Sequence, residues 1–200
     1  MKARPRAAVL VSGGGSTAVN LIEKDRAGTL GVSIALVVSH RSDIGAVDRC
    51  RSAGVDVAVV DGPPCDASSD RLDAILREHK IDLVLLGGYL RRFRVGEWHG
   101  RVLNIHPALL PSFGGKGMYG DRVHDAVLGA GEPVTGCTVH LVDDEYDHGP
   151  MLLQRRVTVE PGDTVATLGA RVRDAERTAY PEAVALWLSQ RESLACTRRA

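Results

Sequence analysis

The chain has 200 residues, of which 44% are hydrophobic, and its 25 Lys and Arg residues balance its 25 Asp and Glu residues. This length and hydrophobic content suit one compact domain with a substantial core. Balanced charge gives no general attraction for nucleic acid or for an anionic membrane, and no apolar run is long enough to span a bilayer. The expected partners are therefore small molecules.

The cysteines and the amino-terminal residues indicate a reducing, cytoplasmic location. The cysteines are scattered and form no Cys-x-x-Cys pair, which argues against a zinc knuckle, a dithiol redox site or a secreted disulfide framework. They are Cys50, Cys65, Cys137 and Cys196. The basic residues 1–6 lead into an apolar stretch, residues 7–11, that is too short for the core of a signal peptide.

The first half of the chain alternates short apolar runs with helical patterns. Strands are predicted over residues 7–11, 32–39, 55–60 and 83–86, and helices over residues 17–26, 44–53 and 69–80. This alternation is typical of β-α-β units, and the last of these strands is apolar on both faces, as a covered central strand should be. The pattern predicts an α/β fold with a doubly wound, mostly parallel sheet flanked by helices.

The second half continues the pattern with a flexible connection in the middle. A helix is predicted over residues 121–128, strands over residues 136–142 and 152–159, and a last helix after residues 161–164. Residues 112–120 contain four glycines and are predicted to form a mobile lid. Pro181 is expected to kink or end the last helix before residues 184–188.

The glycine turn after the first strand reads Ser-Gly-Gly-Gly-Ser-Thr-Ala over residues 12–18. A nicotinamide site would need a carboxylate at the end of the second strand, and His40 and Arg41 stand there instead. A phosphate ester fits better, because backbone N–H groups at a helix N-terminus and the hydroxyls of Ser16 and Thr17 can hold it. A tight turn without a ligand remains the alternative.

Asn104 and His106 lie two positions apart on a short apolar segment that Pro107 closes. Alternate residues of a strand share a face, so the amide and the imidazole can point at one small volume. Pro107 favours an extended backbone at His106. The pair is a candidate catalytic site that needs a third group and a substrate.

Two carboxylates of the second half are candidates for that third group. Asp147 precedes a His-Gly-Pro turn that can carry its side chain back toward the sheet. Glu176 follows Val172 by four residues on or beside the apolar stripe of the last helix, where burial without a partner is costly. By contrast, Asp143, Asp144 and Glu145 do not follow the calcium-loop pattern and are predicted to form a solvated turn.

These motifs together resemble the phosphoribosylglycinamide formyltransferases of purine synthesis. The resemblance rests on Asn104-Ile105-His106-Pro107 with Leu109-Leu110-Pro111, on Asp147 in an Asp-x-Gly-Pro turn, and on the opening Ser-Gly-x-Gly-Ser. It covers nearly the whole chain in the same order. The Asn-x-His-Pro motif is shared with methionyl-tRNA formyltransferases and formyltetrahydrofolate hydrolases, but those carry an additional domain for which we expect no room here.

The resemblance implies transfer of a formyl group from the co-substrate 10-formyltetrahydrofolate to the amine of glycinamide ribonucleotide, without a metal. It implies one formyltransferase domain, residues 1–200, with a phosphate-binding half over residues 1–100 and a catalytic and folate-binding half over residues 101–200. The implied catalytic residues are Asn104, His106 and Asp147, the amine substrate is held by Gly13, Gly14, Gly15, Ser16, Thr17 and Glu176, and formylfolate by Leu90, Arg91, Arg92, His140 and Asp144. A homodimer is left open.

The implied mechanism gives each catalytic side chain a role. Asn104 would donate a hydrogen bond to the oxyanion, and a protonated His106 would donate a second one. Asp147 would favour the imidazolium electrostatically. The other histidines are expected at the surface or in capping positions, and the tryptophans in the core: His40, His79, His99, His124 and His148, with Trp98 and Trp187.

Three departures from the family pattern leave the amine substrate open. The family often has Asn or Thr at the position of Gly14, Asn at the position of Thr17, and an arginine within the stretch that here spans residues 65–68. Alternatives are therefore a folate-dependent formyltransferase that acts on another amine, such as a sugar nucleotide, and a non-catalytic folate- or nucleotide-binding module.

Overall fold

The structure is a computed structural model that describes residues 3–196, with side chains up to residue 191. Within this range the strands are β1 (Arg6–Val11), β2 (Ser33–Ser39), β3 (Val57–Val59), β4 (Leu83–Leu86), β5 (Val102–His106), β6 (Val134–Leu141) and β7 (Met151–Thr158). The helices are α1 (Ser16–Arg26), α2 (Gly45–Ser52), α3 (Asp66–Glu78), α4 (Asp121–Gly129) and α5 (Val165–Cys196). The strands form one sheet in the order β3-β2-β1-β4-β5-β6-β7. The predicted α/β fold with a mostly parallel sheet is confirmed.

The chain divides into two compact units, Met1–Leu103 and Asn104–Ala200. In the first unit, β1 pairs in parallel with β2 on one side and with β4 on the other, and β2 pairs in parallel with β3. Every residue of β1 after Arg6 is buried, as expected for a central parallel strand. Because the strands are parallel, the loops that follow β1, β2 and β4 leave the same edge of the sheet.

In the second unit, β6 pairs antiparallel with β7. The long helix α5 packs against both strands and against α4. β6 is almost wholly buried, whereas β7 is mostly exposed or partly exposed, in keeping with its position at the edge of the sheet.

Two helix boundaries differ from the prediction. Helix α3 begins at Asp66 rather than Ser69, because Ser68 Oγ accepts a hydrogen bond from the Cys65 N–H at 3.0 Å and closes the first turn. Helix α5 runs through Pro181, so it does not end there, and the alternative that the proline kinks the helix stays a prediction. Buried Tyr180 and Trp187 continue the apolar stripe past the proline, and this packing outweighs the lost backbone hydrogen bond.

The environments of some predicted surface and core residues also bear on function. His124 is buried with 2% of its surface exposed, so its predicted surface position is wrong. Trp98 and Trp187 are buried, as predicted. Cys50, Cys65 and Cys137 are free thiols, and the side chain of Cys196 lies outside the described part. No helix among the described residues combines the length and apolar character needed to cross a membrane.

Candidate active site

The predicted polar trio comes together in the second unit. Asn104 Nδ2 donates a hydrogen bond to Asp147 Oδ1 at 3.3 Å, and His106 Nδ1 lies 3.4 Å from Asp147 Oδ2. Asn104 and His106 are alternate residues of β5, so both side chains leave one face of the strand. Asp147 comes from the turn between β6 and β7. The cluster therefore has the composition expected of it, while the catalytic role of its members stays a prediction.

His140 on β6 is a fourth member of this cluster. Its Nδ1 donates to the Leu141 carbonyl at 2.8 Å, which leaves Nε2 to accept a hydrogen bond from Asn104 Nδ2 at 3.1 Å. The same Nε2 lies 3.5 Å from Asp147 Oδ1. These contacts fix the orientation of the Asn104 amide, and the predicted role of His140 in binding formylfolate stays a prediction.

The ring of His106 is buried between two hydrogen-bond acceptors. Nε2 donates to the Phe113 carbonyl at 2.8 Å, so this nitrogen carries a proton. Burial lowers the pKa of His106, and the attraction of Asp147 and the Phe113 carbonyl only partly opposes this effect. Both ring nitrogens thus face acceptors, which favours the imidazolium, while burial favours the neutral ring, so the protonated form expected of His106 stays a prediction.

Asp147 is held in a strained conformation by the loop that was predicted to be a lid. Its φ is 57°, a left-handed value that few residues other than glycine adopt, and Phe113 has the same φ. The Gly115 N–H donates to Asp147 Oδ2 at 3.0 Å. Burial by itself would raise the pKa of Asp147, but the nearby rings of His140 and His106 and the Gly115 N–H together lower it. The carboxylate is thus the charged member of the cluster at neutral pH.

The loop itself has no regular structure over residues 112–117, and two of its members touch the polar cluster through the Phe113 carbonyl and the Gly115 N–H. These contacts anchor its first half. Its predicted mobility stays a prediction.

Glu176 on α5 is partly buried. Loss of solvation raises the pKa of its carboxyl group to about 7, in spite of the opposing charge of Arg173. A carboxyl group that titrates near neutrality can exchange protons with an amine substrate, which suits its predicted position.

The acidic turn before Asp147 behaves as predicted. Asp144 and Glu145 are exposed, and Asp143 accepts hydrogen bonds from the Glu145 N–H at 2.9 Å and from His148 Nδ1 at 3.1 Å. Across the described range of the chain, no group of three or more His, Cys, Asp or Glu side chains could hold a metal ion.

The glycine turn of the first unit has the form that a phosphate ester requires. Gly15 has a φ of 76°, and α1 begins at the next residue. The first helical hydrogen bond runs from the Val19 N–H to the Gly15 carbonyl at 2.9 Å, so the N–H groups before Val19 have no partner within the helix. Helix α2 donates hydrogen bonds to carbonyls of the turn, and Arg49 donates one to Gly14 O at 3.2 Å. Backbone N–H groups at a helix N-terminus attract anions.

The predicted formylfolate residues of the first unit follow β4 in an irregular segment. Leu90 is 53% exposed, and Arg91 donates to the Gly62 carbonyl at 2.6 Å. Arg91 and Arg92 line a small cavity of about 30 Å³ whose other side is formed by the first turn of α3. Its remaining polar and apolar lining includes Ser68, Ser69, Asp73, Tyr89, Val60, Leu72 and Phe93. The guanidinium groups of Arg91 and Arg92 therefore lie across the cavity from the first turn of α3, which overlaps the stretch, residues 65–68, where the family often has an arginine.

Two residues that form hydrogen bonds with this segment and its surroundings, Ser12 and Asp73, were not singled out from the sequence. Ser12 Oγ accepts a hydrogen bond from the Leu90 N–H at 2.8 Å and lies 3.2 Å from His40 Nδ1. Farther along, Arg94 and the Trp98 indole both donate to the buried carboxylate of Asp73. The rule that loops after parallel strands share one edge could have paired Ser12, His40 and Leu90, but nothing in the sequence marks Asp73.

The chain is similar to known proteins over most of its length. A family model described as formyl transferase matches residues 5–184. The chain is 42% identical over 188 residues to the chloroplastic phosphoribosylglycinamide formyltransferase of Arabidopsis thaliana, with 90% of this chain and 64% of that protein covered. It is 38% identical over 191 residues to the human trifunctional purine biosynthetic protein adenosine-3, with 92% of this chain and 18% of that protein covered. The chain therefore spans less than two thirds of the length of these curated relatives.

Solved structures of similar fold carry related names. Glycinamide ribonucleotide transformylase 1 from Symbiobacterium toebii superimposes with a TM-score of 0.86 at 37% identity, over 92% of this chain and 87% of that one. A formyltetrahydrofolate deformylase from Pseudomonas syringae shares the fold, with a TM-score of 0.83 at 21% identity, over 92% of this chain and 61% of that one. With the matched family model and the Asn104, His106 and Asp147 cluster, these likenesses identify the chain as a member of the formyl transferase family.

Proposed function

We propose that this protein transfers the formyl group of 10-formyltetrahydrofolate to the amine of glycinamide ribonucleotide, a step of purine biosynthesis. The observation that carries this proposal is the hydrogen-bonded cluster of Asn104, His106 and Asp147. An amide donor, an imidazole and a carboxylate supply an oxyanion partner and a path for protons, which are the two requirements of acyl transfer to an amine. The names of the relatives favour glycinamide ribonucleotide as the acceptor.

The reaction begins with attack of the neutral amine on the formyl carbon. A free amine of this kind has a pKa of about 8, so a carboxyl group with a pKa of about 7 can accept its proton without a large free-energy cost. We assign this role to Glu176. The attack forms the new carbon–nitrogen bond and moves the carbonyl electron pair onto oxygen.

Asn104 and His106 stabilise the resulting oxyanion in this scheme. Both hydrogens of the Asn104 amide are directed at His140 and Asp147 in the free protein, and the oxyanion takes over one of them. His106 starts neutral, accepts the proton that the attacking nitrogen still carries, and becomes an imidazolium beside Asp147. The imidazolium then donates this proton to N10 of the folate as the carbon–nitrogen bond to the folate breaks.

Binding of the two substrates is assigned to the first unit. The turn over residues 13–17 would hold the phosphate of the ribonucleotide through backbone N–H groups and the hydroxyls of Ser16 and Thr17. Leu90, Arg91 and Arg92 are assigned to formylfolate, and the same assignment is kept for His140 and Asp144. The guanidinium groups that line the cavity beside α3 can pair with the carboxylates of the folate.

A second candidate function keeps the formyl donor and changes the amine. It is favoured by the absence of side-chain amides at Gly14 and Thr17, which leaves the phosphate with fewer donors than the family pattern provides. A sugar nucleotide is one such amine. A non-catalytic folate- or nucleotide-binding module is the third reading, and the intact polar cluster argues against it.

One assay distinguishes these readings. Purified protein is mixed with 10-formyltetrahydrofolate and glycinamide ribonucleotide, and the loss of formylfolate is followed. Turnover with this amine supports the leading proposal, turnover only with another amine supports the second, and binding without turnover supports the third. Activity is expected to survive exhaustive chelation, and a loss that zinc restores would refute the proton-transfer scheme.

Three further expectations belong to this proposal. We expect the two units to act as one formyltransferase domain, so that thermal unfolding follows a single transition. A cytoplasmic location is supported by the free thiols of Cys50, Cys65 and Cys137 and is tested by cell fractionation. A homodimer is tested by sedimentation at several protein concentrations.

A further inference from the structure

Ser12 lies where the loops after three neighbouring strands meet in the first unit. It follows β1 directly and precedes the glycine turn, His40 follows β2 directly, and Leu90 lies four residues after the end of β4. Ser12 Oγ accepts a hydrogen bond from the Leu90 N–H at 2.8 Å and lies 3.2 Å from His40 Nδ1. The Ser12 hydroxyl therefore contacts His40, which lies 28 positions away in the sequence, and Leu90, which lies 78 positions away.

The direction of these hydrogen bonds follows from the chemistry of the groups. The Leu90 N–H can only donate, so it occupies one lone pair of Ser12 Oγ and leaves the hydroxyl proton for His40 Nδ1. A neutral His40 accepts a hydrogen bond from this hydroxyl at Nδ1 and carries its own proton on Nε2. The three groups then form a continuous chain in which each donor has an acceptor.

The surroundings of His40 keep it in this neutral, accepting form. Burial lowers the pKa of His40, and the positive charges of Arg91 and Arg41 lower it further. The ring also meets the edge of Tyr89, with ring centroids 6.0 Å apart and an angle of 73° between the planes. Protonation would turn Nδ1 into a donor, which would reverse the hydrogen bond between Ser12 and His40 and leave the one from the Leu90 N–H unchanged.

The backbone of Leu90 depends on this contact because the segment has no regular structure. Residues 87–95 belong to no helix or strand, and although Phe93 and Val95 are buried, the Leu90 side chain is 53% exposed, so apolar burial does little to hold the backbone at Leu90 itself. A segment of this kind is ordered by its few long-range hydrogen bonds. Ser12 supplies one of them, and Ser12 is also the first residue of the turn that leads into α1.

We propose that Ser12 and His40 are positioning residues that couple the glycine turn to the segment around Leu90, so that the two substrates bind interdependently. The inference rests on the proposed function, which assigns the phosphate to this turn and formylfolate to this segment. A ligand that orders the turn fixes the Ser12 hydroxyl and, through it, the Leu90 N–H. The second ligand then finds a segment that is already ordered and binds more tightly.

The first experiment measures this coupling by calorimetry. The Kd of tetrahydrofolate is measured with and without saturating glycinamide ribonucleotide, for the wild-type protein, for Ser12→Ala and for Ser42→Ala. We expect a ratio of about five or more in the wild type, within the usual range of coupling between sites, and a ratio within about twofold of one in Ser12→Ala. Ser42 is an exposed serine two residues after His40, and its variant controls for the loss of a hydroxyl in this region.

Kinetics provide a readout that a purely structural role would not change in the same way. In Ser12→Ala the KM of both substrates should rise while kcat stays within about threefold of wild type, because the polar cluster of the second unit is untouched. His40→Ala should reproduce the loss of coupling. If wild-type protein turns over but Ser12→Ala keeps the full coupling ratio, or if the wild-type ratio is one, the inference is wrong and the proposed function stands.

A second measurement uses only the wild-type protein and so does not depend on the folding of a variant. Hydrogen exchange of peptides that contain Leu90 is followed with and without glycinamide ribonucleotide. Slower exchange at Leu90 on addition of this substrate is expected, and unchanged exchange under saturation overturns the inference. If the wild-type protein neither binds nor turns over glycinamide ribonucleotide, the proposed function itself fails.

Discussion

Asn104 donates a hydrogen bond to Asp147 across 43 positions of sequence, and the same amide nitrogen lies 3.1 Å from His140 Nε2. The amide is therefore held by an acceptor on either side. A group fixed in this way needs little reorganisation when negative charge develops on a substrate oxygen, which is the property that makes an oxyanion donor effective. The relationship also explains why β5 needs a polar residue on the face that meets β6 and its turn.

Replacement of Asn104 by alanine should reduce turnover by about 10²–10³, because one preorganised oxyanion donor is lost. The KM of each substrate should change much less, since the amide acts mainly in the transition state. Steady-state kinetics of Asn104→Ala measure both quantities. Asn20→Ala, which alters the only other asparagine of the sequence, serves as control. Near-normal turnover of Asn104→Ala would remove this residue from the mechanism.

Replacement of Glu176 by glutamine should raise the free energy of unfolding by an amount that depends on pH. The pKa of Glu176 is raised from 4.5 to about 7 in the folded protein, so wild type loses stability as pH rises from 4.5 through 7. The variant carries no such charge. Its advantage in free energy of unfolding should grow from near zero in acid to on the order of 3 kcal/mol above neutrality.

Denaturant unfolding at several pH values measures this difference for Glu176→Gln. Glu132→Gln, which removes a charge from an exposed position, is the control. A difference between Glu176→Gln and wild type that stays constant with pH would contradict the raised pKa. The variant should also lose activity, because its amide cannot accept a proton from the amine.

The glycine turn allows a matched pair of substitutions. In Gly15→Ala the new Cβ would lie 2.6 Å from the Ala46 Cβ, and the φ of 76° would be strained for alanine. We expect a loss of about 2 kcal/mol or more in stability. Gly14→Ala meets nothing within 4 Å and should stay within about 0.5 kcal/mol of wild type. Equal thermal shifts for the two variants would mean that the turn is not packed against α2 in this way.

The contact between α4 and α5 allows a second matched pair. Gly169 on α5 is buried, and a Cβ there would lie 3.0 Å from the ring of His124 and from Arg173 Nη1. Gly129 on α4 has nothing within 4 Å of its added Cβ. Gly169→Ala should therefore be about 1–3 kcal/mol less stable than Gly129→Ala, although alanine favours both helices. Chemical denaturation of both variants tests this order.

Local patterns of the sequence were sufficient for most elements of the fold. Strand periodicity gave β5 with Asn104 and His106 on one face, and the apolar runs gave the parallel strands of the first unit. The pattern was less informative where packing decides the outcome. Pro181 is a strong local signal to end a helix, but α5 continues through it because buried residues on both sides hold the helix in place.

The candidate site was less fully predicted than the fold. Asp147 was singled out from its turn, and its position beside Asn104 agrees with that prediction. The lowered pKa of His106 was not predicted. It arises from burial, and burial is a property of the packed chain rather than of neighbouring residues. The role of His140 in binding formylfolate stays a prediction, and only the structure shows that its Nε2 accepts a hydrogen bond from Asn104 and lies 3.5 Å from Asp147 Oδ1.

The sequence by itself determined the alternation of strands and helices, the glycine turn before α1, and the polar pair on β5, since each depends on residues close together in the chain. Only the tertiary structure decided which distant groups meet. Asn104 with Asp147 and His140, and Ser12 with His40 and Leu90, are contacts between loops and strands that the order of the sheet brings together. Such contacts form because parallel strands release their loops at a common edge, and a one-dimensional pattern does not specify which side chains then face each other.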